Sequence, residues 1–160
     1  MTGRLQISAP ASDTAPVLLV SPDPADSRYM REILATLGGR LVSASDLNSA
    51  RKSLAAGGFG VVITERDLPD GDWLDLLFSL QCLDAPPLLI VVSRLADEHL
   101  WVEVLNRSGF DVLPKPFARA EAYRVLGHAL ETWAEMVPKR PVCSESGPRL
   151  GRRSAGFRAS

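Results

Sequence analysis

The sequence predicts an α/β fold, a doubly wound five-stranded parallel sheet with (βα)5 order, and three observations carry that prediction. Val17-Leu-Leu-Val20, Val61-Val-Ile63 and Leu88-Leu-Ile-Val-Val92 are short apolar runs without polar alternation, the composition of strands buried on both faces. Between such runs, apolar residues recur at helical spacing, as in Met30, Ile33, Leu34 and Leu37. Gly38-Gly39, Gly57-Gly58, Pro86-Pro87 and Gly109 fall between the segments as stops. Strands apolar on both faces and separated by helices require a parallel sheet covered on both sides.

The elements follow in order. Val17–Val20 is the first strand, and the Met30 to Leu37 stripe is the first helix. Leu41-Val42 is a weak second strand, after which Leu47, Ala50 and Leu54 mark a second helix. Val61–Ile63 is the third strand, followed by a polar loop and a third helix striped by Trp73, Leu76, Leu77 and Leu80. Leu88–Val92 is the strongest strand, and Leu100, Trp101, Val104 and Leu105 belong to a fourth helix. Val112-Leu113 is a short fifth strand, and Tyr123, Leu126, Ala129, Leu130 and Trp133 stripe a long fifth helix.

Composition sets the bounds. The chain has 160 residues, 46% hydrophobic and 23% charged, enough for one core without staples. Its apolar runs are far shorter than the roughly 18 residues of a membrane span, and residues 1–16 have no apolar run of signal type. A cytoplasmic location is the expectation. Cys82 and Cys143 have neither metal-ligand spacing nor a disulfide framework. The net charge of −1 conceals a split: residues 1–137 carry 12 basic and 18 acidic groups, whereas residues 138–160 carry six basic and one acidic. Residues 1–15 and 137–160 are expected to be disordered, the latter as a basic tail, and residues 16–136 to form the domain.

In a doubly wound sheet, functional groups collect at the carboxyl ends of the strands. Those ends carry Ser21-Pro-Asp-Pro24, Glu65-Arg-Asp-Leu-Pro-Asp70, Ser93 and Lys115-Pro-Phe117. In order and spacing, these segments resemble the receiver domains of two-component response regulators across residues 16–136. The resemblance implies a flavodoxin-like fold with strand order 2-1-3-4-5. It also implies a histidine-kinase partner, and an Asp after the third strand that accepts a phosphoryl group. An acidic pair after the first strand would help to hold Mg2+, and a hydroxyl residue and a Lys would bind the phosphoryl oxygens.

Residue by residue, the chain keeps half of that set. Ser93 falls at the hydroxyl position and Lys115 at the lysine position, followed by a Pro that often carries a cis peptide in the family. The acidic pair falls on Ser21 and Pro22, neither of which carries charge, with Asp23 next in line. The acceptor position is Glu65, and Asp67 stands where a metal-binding carbonyl would originate. Mg2+ would then have one carboxylate and a carbonyl, too little for a hard octahedral cation. Glu65 also reaches one methylene further than Asp, in chemistry that tolerates displacements of about 1 Å poorly. No cofactor is therefore expected, the Mg2+ site being lost, unless Asp23 or Asp67 swings in or Asp67 is itself the acceptor.

Glu65 admits three readings. Its longer side chain could pair with Lys115, accept a hydrogen bond from Ser93 and mimic the phosphorylated state. Alternatively, it is a solvated loop carboxylate, or it only neutralises a buried amine. Val112 stands where switching receivers carry an aromatic residue, so the usual coupling from site to output face is missing.

The expected function is a degenerate receiver, not an enzyme, that acts by phosphorylation-independent contact with a signalling protein, either a histidine kinase or an effector. The alternative is a single-domain receiver phosphorylated at an unconventional acidic site. An apolar face around Trp101 suggests a homodimer through the fourth helix, fifth strand and fifth helix. The tail is too short for an output domain or a helix-turn-helix, so sequence-specific nucleic-acid binding is not expected. His99 and His128 read as surface or half-buried helix residues, Trp73, Trp101 and Trp133 as core or core-edge, and Cys82 as a small buried hydrophobe.

Overall fold

The computed structural model describes residues 15–95 and 97–136. The expectations for residues 1–14 and 137–160 lie outside the described residues. The elements run β1 (Val17–Val20), α1 (Pro24–Leu37), β2 (Leu41–Ala44), α2 (Leu47–Ala56), β3 (Val61–Glu65), α3 (Trp73–Gln81), β4 (Leu88–Ser93), α4 (Glu98–Asn106), β5 (Asp111–Pro114) and α5 (Arg119–Met136). All five strands are parallel, in the order β2-β1-β3-β4-β5. This is the α/β flavodoxin-like receiver fold that the sequence predicts.

The two-residue period of a strand divides the core in two. Leu18, Val20, Val62, Leu89, Val91 and Val112 face one side, where α2, α3 and α4 bring Leu47, Leu54, Trp73, Leu76 and Leu100. Val17, Leu19, Val61, Ile63, Ile90, Val92 and Leu113 face the other, against Met30, Ile33 and Leu34 of α1 and Val125 and Leu126 of α5. Each fully buried aliphatic side chain contributes about 1.5–3 kcal/mol. β2 reads weakly in the sequence because it is an edge strand, with Leu41 and Val42 only half-buried.

Aspartates start four of the helices. Asp23 accepts from the Ala25 N–H, with Pro24 opening α1. Asp46 accepts from Ser49 N–H, Asp97 from Leu100 N–H, and Asp72 forms a capping box with Asp75. The N-terminus of α2 has a second carboxylate: Asp70, from the loop after β3, accepts from the N–H groups of Leu47 and Asn48 at 2.8 and 3.0 Å. That loop, expected only as a polar connection, also contains a short antiparallel ladder pairing Asp67 with Asp72 and Leu68 with Gly71. Gly60 lies under Trp133, where a Cβ would come within 2.7 Å of the indole ring, so this close approach needs a glycine.

Two surface expectations are settled by exposure. His99 and His128 are exposed helix residues. Cys82, expected to be buried, is exposed at the C-cap of α3. It follows Leu80 by two residues, about 200° around the helix from the buried stripe.

Candidate functional site

The end of β3 and the first turn of α1 converge on one side chain, that of Lys115 after β5. Lys115 follows β5, its N–H bonded to the carbonyl of Ser93 at the end of β4. Its ammonium donates to Glu65 Oε2 at 2.5 Å and to Asp26 Oδ2 at 2.8 Å. Glu65 closes β3, and Asp26 lies in the first turn of α1. The Lys115, Asp26 and Glu65 side chains are only 8%, 7% and 19% exposed. The cis peptide at Lys115-Pro116 matches the resemblance.

Ser21 and Pro22, the positions expected for an acidic pair, carry no charge, and Ser21 organises the turn. Its hydroxyl donates to Asp26 Oδ2 at 2.7 Å and accepts from the Asp23 N–H at 3.1 Å. Pro22 is exposed. Asp23 and Asp67, the residual acids of the sequence reading, are both exposed: Asp23 is occupied as a helix cap, and Asp67 lies in the short ladder. The acid that does enter the site is Asp26, so the depletion of acidic groups expected after β1 is offset from one helical turn further on.

Ser93 is buried, but its hydroxyl accepts from the Leu95 N–H at 3.0 Å. The expected Ser93–Glu65 bond is absent among the described residues. A local turn, two residues ahead, takes the hydroxyl instead. Val112 is fully buried in the core on the α3/α4 side. Phe117 adds an aromatic wall: its ring lies 5.8 Å from the Lys115 nitrogen and stacks on Tyr29 at 5.1 Å, and the Arg119 guanidinium lies over Tyr29.

The three charges titrate as a unit. Burial pushes Asp26 up, but hydrogen bonding to Lys115, Ser21 and Glu65 outweighs it and holds this carboxyl below its usual range. Burial also pushes Glu65 up. Lys115 opposes that push, but Asp26 adds to it through hydrogen bonding and charge, so Glu65 stays above its ordinary value. Burial would lower Lys115, yet its two carboxylates leave it raised. The two carboxyls therefore titrate as a coupled pair, Asp26 held down and Glu65 pushed up.

The donor set does not suit Mg2+, which requires near-octahedral oxygen ligation. Both carboxylates hold the ammonium, Ser21 gives its proton to Asp26, and Pro22 offers no side-chain ligand. Among the described residues there is no group of three or more His, Cys, Asp or Glu able to hold a metal ion. What the arrangement does is tie α1, β3 and β5 together through one buried ion cluster.

A family model described as the response regulator receiver domain matches residues 17–126. The chain is 30% identical over 127 residues to the swarming motility regulation protein RssB of Serratia marcescens, covering 74% of this chain and 58% of that protein. It is 29% identical over 126 residues to the KDP operon transcriptional regulatory protein KdpE of Escherichia coli K12, covering 79% and 56%. The chain therefore spans a little over half the length of these two relatives. Its fold is similar to the signal receiver domain of an HD domain-containing protein from Pseudomonas fluorescens Pf-5, with TM-score 0.68, 24% identity and coverage of 76% and 90%. It is likewise similar to the beryllofluoride-activated NtrC4 receiver domain dimer, with TM-score 0.68, 22% identity and coverage of 74% and 98%.

Proposed function

The chain belongs to the response regulator receiver domain family of two-component systems, and from that premise we propose that it is a degenerate receiver that works by phosphorylation-independent protein contact. One observation carries this reading: the carboxylate of Glu65, the residue we read as standing at the acceptor position, is bound to Lys115, and Ser21 and Pro22, which we read as standing at the acidic-pair positions, carry no charge. Phosphoryl transfer to a carboxylate needs the nucleophile aligned and the developing charge on the oxygens neutralised. Neither requirement is supported here. The chain is accordingly a binding module and not an enzyme, with no cofactor.

Glu65 makes one of the two contacts that mimicry of a phosphorylated acceptor would need, the bond from Lys115, and lacks the one from Ser93. With Val112 buried at the switch position, this favours a surface held in one state. Incubation with Mg2+ and acetyl phosphate, followed by intact mass measurement, is expected to leave the chain unmodified. A stoichiometric phosphoryl adduct would overturn the reading in favour of the alternative, phosphorylation at an unconventional acid such as Asp67 by a histidine kinase.

The partner is a signalling protein, a histidine kinase or an effector, met at a cytoplasmic location. No helix among the described residues is long and apolar enough to cross a membrane. On α4, Trp101, Val102 and Leu105 are exposed within one 100° arc. This patch supports a homodimer through α4, β5 and α5. Light scattering is expected to show a concentration-dependent dimer, and Leu105→Glu a monomer of unchanged fold; a wild-type chain that stays monomeric at every concentration would remove the homodimer.

A further inference from the structure

Asp26 and Glu65 come from elements far apart in the sequence, yet both close on one nitrogen of Lys115 in a site sealed from water on most sides. Ser21, where a carboxylate is missing, instead donates its proton to the oxygen of Asp26 that faces the ammonium. Phe117, backed by Tyr29, adds a π-face near the same nitrogen. Two carboxylates and one ammonium carry a net charge of −1. A divalent cation entering beside the ammonium would put two centres of like charge within one hydrogen-bonded cluster, a strong repulsion where little water screens it. A metal would compete with the ammonium for the same two carboxylates, and the ammonium is held by two charge-assisted hydrogen bonds.

We propose that Lys115 is the resident cation of this site: its ammonium holds the place between Asp26 and Glu65 that a divalent metal would need, and the folded chain takes up neither Mg2+ nor Mn2+ there. The inference rests on the phosphorylation-independent reading and deepens it. The metal is excluded because the carboxylates that remain are already engaged, and not only because the pair after β1 is missing. Asp26 is a positioning residue for Lys115 in this arrangement.

Mn2+ titration of the full chain, followed by the electron paramagnetic resonance signal of the free ion, tests it. The wild-type chain is expected to show no saturable binding at millimolar Mn2+. Lys115→Gln, which keeps polarity and removes the charge, is expected to bind one ion at least about tenfold more tightly. Adding Glu65→Gln to that variant should abolish the gain. Saturable binding by the wild-type chain that Glu65→Gln weakens would overturn the proposal, as would a folded Lys115→Gln variant that binds no better than wild type. Should Lys115→Gln not fold, as judged by circular dichroism, the wild-type and Glu65→Gln titrations decide alone. A phosphoryl adduct without wild-type metal binding would sink the phosphorylation-independent reading and leave the role of Lys115 standing; metal binding without an adduct would do the reverse.

Discussion

Replacing Lys115 by Met is expected to cost about 3 kcal/mol of stability at pH 8, and progressively less as the pH falls toward 5. The substitution leaves Asp26 and Glu65 together in a site where they are 7% and 19% exposed, with no cation between them. Glu65 already lies above its ordinary value, from burial first and Asp26 second, and losing Lys115 removes the one influence that holds it down. A carboxyl whose folded pKa is raised contributes stability below its unfolded value of about 4.3, and that stability is lost as pH rises through the folded value. The variant should therefore gain stability on acidification, with urea unfolding midpoints rising from pH 8 to pH 5. A flat profile over that range would mean that water, and not Lys115, neutralises the pair.

Asp26→Ala is the second large effect, expected to cost about 2–3 kcal/mol at pH 7. It removes the charge partner of Lys115 and the acceptor of the Ser21 hydroxyl, in a residue only 5% exposed. Glu65 keeps the ammonium partly satisfied, which sets the cost below that of the lysine variant. Because Asp26 is lowered in the folded chain, its contribution is present above the unfolded pKa and is lost as pH falls through the folded value. The difference between wild type and variant should therefore shrink in strong acid. Glu65 provides a second readout: without the charge and hydrogen bond of Asp26, its pKa should move down, measurable from carboxyl carbon shifts by NMR. An unmoved Glu65 would show that the two carboxylates do not interact.

The fold was legible because its evidence is local. Val17–Val20, Val61–Ile63 and residues 89–92 admit water on neither face, and only a sheet covered on both sides accommodates them. The site was half legible. Glu65, Ser93 and Lys115 stand directly at strand ends, where motif spacing finds them, and the structure brings Glu65 and Lys115 together. Asp26 escaped because an acid in the first turn of a helix has an ordinary explanation in the helix dipole. The missed signal is its phase. Asp26, Met30, Ile33 and Leu37 share one helical stripe, so a charge occupied a position that periodicity assigns to the interior. The Ser93 hydroxyl was misread for a different reason: a choice between a partner across the sheet and an amide two residues away is decided by tertiary distances that no spacing encodes.

Asp70 lies five residues beyond Glu65, and its carboxylate terminates a helix that belongs to a different βα unit. A shift of the loop after Glu65 that carries Asp70 away from α2 gives up both hydrogen bonds, a penalty on the order of 1–2 kcal/mol. The loop therefore behaves as a latch between neighbouring βα units. A partner that grips α2 or this loop would feel the two as one coupled block.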